Sequence, residues 1–289
     1  MSLRAIRYRS DGYMTQLSRG TRRTLLYVFL AFIVAISIGP FLVLFVNATR
    51  SDAQIASSFS LIPGRNLIDN YRSMQERIDF PLAVRNSAII AFAGTALAVY
   101  FGSLCGYALA KLEFFGRTVI FSIVLVTLMI PWQLGIIGYY SMIARMGLID
   151  TYWPLILPSI GNPAVVFFLK QFIEGSIPTD LMEAARMEGA GELRIFHRII
   201  IPMSAPAMAT MGILTFVFLW NNYITPLMLL VSTDKFPVQV VLALLSTDQE
   251  RRVGATYLGL SLSIILILIV YVTQSRRITE NVAAGAVKG

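Results

Sequence analysis

Six apolar stretches of membrane-spanning length, none holding Asp, Glu, Lys, Arg or His, constrain this chain more than any other feature; they run near 25–46, 87–110, 119–140, 152–169, 205–231 and 255–273. A hydrocarbon core about 30 Å thick takes roughly 20 residues of helix. Backbone polar groups in lipid must be satisfied within the spanning segment itself, which a helix achieves. The expected fold is therefore an all-α integral membrane bundle of six transmembrane helices. With 56% hydrophobic and 14% charged residues, and a mean hydropathy of +0.69, the chain is too apolar for a water-soluble domain. Pro131 in the third stretch and Pro154, Pro158 and Pro163 in the fourth each remove a backbone donor, which predicts kinked or partly unwound helices there.

Orientation follows from the basic residues. Arg4, Arg7, Arg9, Arg19, Arg22 and Arg23 hold the N-terminus in the cytoplasm, and an even number of crossings returns Arg276, Arg277 and Lys288 to the same side. Lys111 and Arg117 add to the inner charge, which leaves 47–86 and 232–254 outside. The expected organisation is a cytoplasmic tail over 1–24, one six-helix domain over 25–274 with a polar inner loop at 175–204, and a second cytoplasmic tail over 275–289. The Arg-rich start shows no small-residue cleavage site, so the first helix is expected to stay in the membrane. Net charge is +8, but Lys and Arg are dispersed at the ends of apolar segments, the wrong footprint for nucleic acid. One cysteine, Cys105, excludes a disulfide framework and a Cys-based metal site. His197 stands without companion ligands, which argues against a metal role.

The absence of ionisable groups from the six stretches bears on the energy source. Carriers driven by protons or ions usually place such groups inside the membrane, where they are otherwise rare. Coupling through backbone carbonyls keeps a secondary carrier as the alternative. The phosphate-binding pattern Gly-x-x-x-x-Gly-Lys-Ser/Thr is absent, so this chain is not expected to be an enzyme that hydrolyses ATP.

The polar loop carries Glu183-Ala184-Ala185, then three residues, Gly189, nine residues, and Ile199-Ile200-Ile201-Pro202. Six fixed identities at such spacing coincide by chance on the order of once in 10⁷ start positions. Asp180 is suited to cap a short helix with Glu183 in its first turn, and Gly189 to the left-handed conformation that ends it. A second helix over about 192–200, with Leu193, Phe196 and Ile200 on one face, is expected to stop at Pro202. Ala184 and Ala185 present little side chain, so a partner's groove can approach the backbone closely. An amphipathic helix pair lying on the membrane surface is the competing account.

This spacing resembles the cytoplasmic signature of binding-protein-dependent ABC importer permeases. Asn86-Ser87, Gly106-Tyr107-Ala108-Leu109-Ala110-Lys111, Met129-Ile130-Pro131, Gly147-Leu148-Ile149-Asp150-Thr151-Tyr152, Ser176-Ile177-Pro178, Trp220-Asn221-Asn222 and the final Gly285-Ala286-Val287-Lys288-Gly289 look like the sugar-importer branch, of the maltose-transporter MalG type. Glu188 stands before Gly189 where that family commonly has Asp, which keeps the charge.

The resemblance implies an ABC type I importer permease fold in a bacterial or archaeal inner membrane, forming half of a translocation pore for a carbohydrate. It implies coupling to an ATPase through Glu183, Ala184, Ala185, Gly189, Leu193, Phe196, Ile199 and Pro202. Val287, Lys288 and Gly289 would reach toward the ATPase interface, against the alternative of a plain basic tail. No cofactor is expected in this chain, ATP and Mg²⁺ belonging to the ATPase. The implied partners are a second related permease, two ABC ATPase subunits, an external sugar-binding protein and lipid.

Trp220, Asn221, Asn222 and Tyr223 are candidates for the substrate path, with Asn162 a weaker one; hydrogen bonding between helices explains the amides equally well. Gly94, Ala98, Gly102, Gly106 and Ala110 recur every four residues and predict close helix contact, most simply within one subunit.

Overall fold

The computed structural model describes residues 19–247 and 252–286, and among these it contains helices and no strand. In order these are α1 (Arg19–Asn47), α2 (Asp52–Ser57), α3 (Leu67–Gln75), α4 (Phe80–Lys111), α5 (Arg117–Met129), α6 (Ile136–Arg145), α7 (Trp153–Ile156), α8 (Pro163–Ser176), α9 (Thr179–Met187), α10 (Glu192–Ile195), α11 (Ile201–Trp220), α12 (Ile224–Leu229), α13 (Val238–Thr247) and α14 (Val253–Ala286). Five helices among the described residues are long and apolar enough to cross a membrane: Arg23–Asn47, Phe80–Lys111, Trp153–Ser176, Glu192–Trp220 and Val253–Thr273. A sixth crossing forms if α5 and the following Trp132–Arg145 count as one span, bent by 91°.

The bend sits at Pro131. Ile130 before it is extended (φ −91°, ψ 118°), as a following proline enforces, and a 3₁₀ turn over Trp132–Gly135 restarts the helix. In the next crossing the three prolines divide the helix into pieces, with Asn162 extended (φ −62°, ψ 108°) before Pro163, as the expected partial unwinding requires. Pro154, Pro158 and Pro163 each fall in the first turn of a new piece, namely α7, a 3₁₀ turn over Leu157–Gly161, and α8, where the missing N–H has no helical partner to lose. The Asn162 side chain accepts from the Ala164 and Val165 amides and caps α8.

Three boundaries differ from expectation. The fourth crossing continues past 169 to Ser176 and so takes in Lys170 and Glu174. These charges are tolerated because the Lys170 ammonium pairs with the Glu174 carboxylate one turn on and lies 4.6 Å from the Phe121 ring centre. The fifth crossing runs over Glu192–Trp220 rather than 205–231, since the chain leaves the helix at Asn221. The 232–254 connection, expected outside, contains a helix the apolar windows missed: α13 is too short to span but buries Val238, Val241, Leu242 and Leu245 in the core with Phe80 and Trp220.

The core is organised around α4, which packs on α8 and α11. The small-residue stripe makes this approach feasible within the subunit. A Cβ on Gly102 would meet Val165 Cγ1 at 2.6 Å, and on Gly106 the Lys170 amide nitrogen at 2.9 Å. An outer cluster joins Phe80, Ala91, Phe216, Trp220 and α13, and an inner one joins α4, α8 and the 177–200 segment. The 48–79 segment closes over the outer end of α14. Buried Arg50 satisfies the Gln54 and Ser58 carbonyls at the end of α2, and Asn70 bonds the Ala48 and Arg50 carbonyls.

The outer end is clasped by residues the sequence marked for other reasons. Asp150, at φ +63°, accepts from the Val231 and Ser232 amides (3.0 and 2.9 Å), the Ser232 hydroxyl and Lys235 Nζ (2.8 Å). Asn86 Nδ2 donates to the Asp234 and Phe236 carbonyls, and Ser87 Oγ accepts from the Val238 amide. The Lys235 ammonium and these donors hold the Asp150 carboxyl well below the usual carboxylate range. A depressed folded value means that stability is fully present above the unfolded value of about 4 and is lost progressively as pH falls from there to the lower folded value. Asp150→Asn is therefore expected to lower the melting temperature by a margin that is the same at pH 7 and pH 5. Thermal unfolding in detergent at both pH values checks this, and a gap that closes by pH 5 refutes it.

Candidate coupling site

The inner loop is a helix, a tight turn and a helix. α9 begins after Pro178, and its Asp180 lies in the first turn without capping it; Glu183 falls in the second. Its end is a Schellman turn: the Gly189 amide bonds the Arg186 carbonyl at 2.9 Å, the Ala190 amide bonds Ala185 at 2.9 Å, and Gly189 takes φ +84°. Only glycine adopts that conformation without cost, and a Cβ there would meet nothing within 4 Å, so backbone angle rather than space selects it.

The second helix does not stop at Pro202. α10 passes through a π-helical turn over Phe196–Ile200, closed by the Ile201 amide on the Phe196 carbonyl, and continues as α11. A proline ring collides with the carbonyl four residues back in a regular helix; the widened turn just before Pro202 lets the helix run through it. Leu193 also departs from expectation. Phe196 and Ile200 are fully buried, whereas Leu193 is 66% exposed, because the helix face that meets α4 and α8 carries Ile195, Phe196 and Ile200.

The loop thus divides into an anchor and an exposed tip. Met182, Ile195, Phe196 and Ile200 pack with Tyr107, Ala110, Ile173 and Ile177. Glu183, Ala184, Met187 (89% exposed), Gly189 and Leu193 lie on the outside of the turn, with Ala185 and Ile199 half-buried and Pro202 exposed. Polar contacts fix the anchor. Lys111 Nζ donates to the Ile177 carbonyl at 2.6 Å, Arg117 Nε to the Leu109 carbonyl at 2.8 Å, and Arg117 also pairs with Glu174 at 3.8 Å. Lys111 and Arg117 therefore close helix C-termini, where cations are favoured. His197 bonds the Leu193 carbonyl through Nδ1 (2.7 Å) and the Tyr100 hydroxyl through Nε2 (3.1 Å). Tyr107 and Tyr100 carried no polar role in the sequence; what marked Tyr107 was only its place in the Gly106–Lys111 run.

The other candidates lie far from this turn, at the outer end of α11. Trp220 is 4% exposed, its ring stacked on Phe216 and its Nε1 donating to Ser263 Oγ at 3.2 Å, so it is a core residue. Asn221 Nδ2 returns to the Val217 carbonyl and its Oδ1 accepts from Gln239, while Asn222 Oδ1 accepts from the Thr225 amide where α12 starts. Asn221 and Tyr223 are exposed. Val287, Lys288 and Gly289 lie outside the described residues.

A family described as "Binding-protein-dependent transport system inner membrane component" matches residues 98–279. The arabinooligosaccharides transport system permease protein AraQ of Halalkalibacterium halodurans is 33% identical over 92% of this chain and 96% of its own length. The lactose transport system permease protein LacG of Rhizobium radiobacter is 30% identical over 95% and 100%. The trehalose transport system permease protein SugB of Mycobacterium tuberculosis is 31% identical over 93% and 100%. A crystal structure of a bacterial ABC transporter involved in import of the polysaccharide alginate shares the fold, with a TM-score of 0.78 over 90% of this chain and 98% of that chain, at 24% identity. The match spans the 175–204 loop and four of the apolar stretches, and the three relatives named align over more than nine-tenths of this chain. The named relatives are transport permeases, and this chain belongs to the binding-protein-dependent transport system inner membrane component family as a multi-pass membrane permease.

Proposed function

We propose that this chain is one membrane half of an ATP-driven carbohydrate importer, of the maltose-transporter MalG type, resident in a bacterial or archaeal inner membrane with both termini cytoplasmic. The second half is a related but distinct permease, and two ABC ATPase subunits bind ATP and Mg²⁺ beneath the pair. An external binding protein delivers a di- or oligosaccharide to the outer face, in keeping with the arabinooligosaccharide, lactose and trehalose systems of its relatives.

The observation that carries this is the inner turn: a short exposed helix with Ala184 on its outer side, ended by left-handed Gly189, on a base that joins α4, α8 and α10. Small side chains allow a groove to close on the backbone of α9, and Met187 and Leu193 supply exposed apolar anchors beside it. The anchor cluster then makes α9 move with the helices behind it. Membership of a binding-protein-dependent family supports ATP as the energy source over ion coupling. Asn221 and Tyr223 remain candidates to meet sugar at the outer end of the path, the amide by hydrogen bonds and the ring by its face.

Affinity purification of the tagged chain from its native membrane in mild detergent, with identification of retained proteins and saccharide binding to the recovered binding protein, tests the proposal. An ABC ATPase, a second permease and a sugar-binding protein are expected. Recovery of the intact chain with no ATPase, alongside uptake insensitive to ATP depletion, overturns it.

A further inference from the structure

One carboxylate ties the inner turn to the central helix. Tyr107 of α4 is 2% exposed, its ring stacked on Phe196 at 6.1 Å and 27°, and its hydroxyl donates to Glu192 Oε2 at 2.5 Å. Glu192 Oε1 accepts from Arg186 Nε at 2.8 Å, and a second Arg186 nitrogen lies 3.4 Å from Oε2. Glu192 opens α10 and Arg186 closes α9, so their ion pair spans the Gly189 turn. Hydrogen bonds to an ionised partner are shorter and roughly twice as strong as neutral ones.

Motion of α9 has two routes into the membrane. The covalent one runs through the 188–191 turn and α10 into α11, across the π-helical turn at Phe196–Ile200. Both points are irregular: Gly189 takes the left-handed conformation with open space beside it, and π turns interrupt a regular helix and are frequent at functional sites. The other route is the Glu192 carboxylate. Arg186 stops the swivel at Gly189, and Tyr107 carries displacement to α4, which is packed on α8 and α11 along its small-residue stripe.

We propose that Glu192 is a positioning residue, and that the Tyr107–Glu192–Arg186 linkage makes α4 follow α9 during transport. Glu192 acts through the Tyr107 hydroxyl and the Arg186 guanidinium that it holds. This inference rests on the importer reading above: the linkage converts an ATPase-driven shift of the inner turn into movement of the central helix. When it is cut, hydrolysis continues without proportionate transport.

The test uses the complete transporter with its binding protein in proteoliposomes, comparing saccharide imported with ATP hydrolysed. Tyr107→Phe and Glu192→Gln are expected to assemble and to hydrolyse ATP near the wild-type rate, while sugar moved per ATP falls about tenfold, the effect of losing one hydrogen bond to a charged group. Arg186→Glu is expected to lower the ratio likewise, and Arg186→Glu with Glu192→Arg to recover at least half of that loss by restoring the pair. A parallel fall of hydrolysis and transport, or an unchanged ratio, overturns the linkage. Should Tyr107→Phe not assemble, the exchange pair decides, and absence of recovery refutes the proposal. A wild-type preparation with no ATP-dependent uptake fails the importer reading instead, which separates the two failures.

Discussion

Gly106→Leu is expected to lower the amount of assembled protein in the membrane several-fold, the order by which a loss of about 1–2 kcal/mol or more changes abundance. A Cβ at Gly106 would sit 2.9 Å from the Lys170 nitrogen and 3.2 Å from the Leu169 carbonyl carbon. Both are backbone atoms of α8 and cannot turn away, so the whole helix must retreat from α4. Overpacking typically costs about 1–3 kcal/mol and sometimes more; with backbone as the obstacle and a Leu to house, the upper end applies. Against a total stability of about 5–15 kcal/mol this is a large share. Gly102→Leu is expected to follow the same direction more weakly, since the obstacle there is the Val165 side chain. Gly212→Ala serves as the control. Its Cβ would meet Val99 and Thr95 methyls at 3.7 and 3.9 Å, ordinary contact, and the protein is expected to accumulate normally. Quantitative membrane yield and detergent melting curves order the three variants. Equal yields for Gly106→Leu and Gly212→Ala would mean that α8 is not seated on α4 as described.

Gly189→Val is expected to leave folding intact and to reduce transport about tenfold or more, whereas Gly189→Asn retains most of it. At φ +84° a Cβ meets no neighbour, so the penalty is intrinsic to the backbone. It is about 1–2 kcal/mol for an ordinary L-residue, greater for a β-branched one, and smaller for Asn. That energy is set against a single Schellman turn on the exposed tip, away from the packed core, so the turn opens while the bundle stands. Once open, α9 and α10 no longer present Ala184, Met187 and Leu193 as one surface. ATP-driven uptake and retention of the ATPase during purification measure the effect. If Val and Asn behave alike, the left-handed turn is not what the partner requires.

The inner turn shows how far local sequence reaches. The helix of α9 and the left-handed Gly189 both follow from nearest-neighbour chemistry, and both stand in the structure. Pro202 was misleading for the same reason. As a local breaker it predicts a stop, but the π turn and the packing of Phe196 and Ile200 against α4 and α8 outweigh a lost hydrogen bond. The same holds for Lys170. A window drawn to exclude charge ends at 169, yet pairing with Glu174 and the Phe121 ring brings Lys170 into the crossing.

By itself the sequence determined that the chain crosses a membrane as helices, near which residues it does so, where prolines interrupt it, and where the polar turn lies. These follow from transfer of side chains into lipid and from backbone restrictions, which act residue by residue. Tertiary structure alone decided which helix is central, that α13 folds back into the outer core, that Asp150 clasps the Val231–Lys235 stretch, and that Glu192 meets Tyr107. Each joins residues tens of positions apart or more. Whether a carboxylate, an amide or a short apolar helix is satisfied there depends on what another segment brings within about 3 Å, and no periodicity records that.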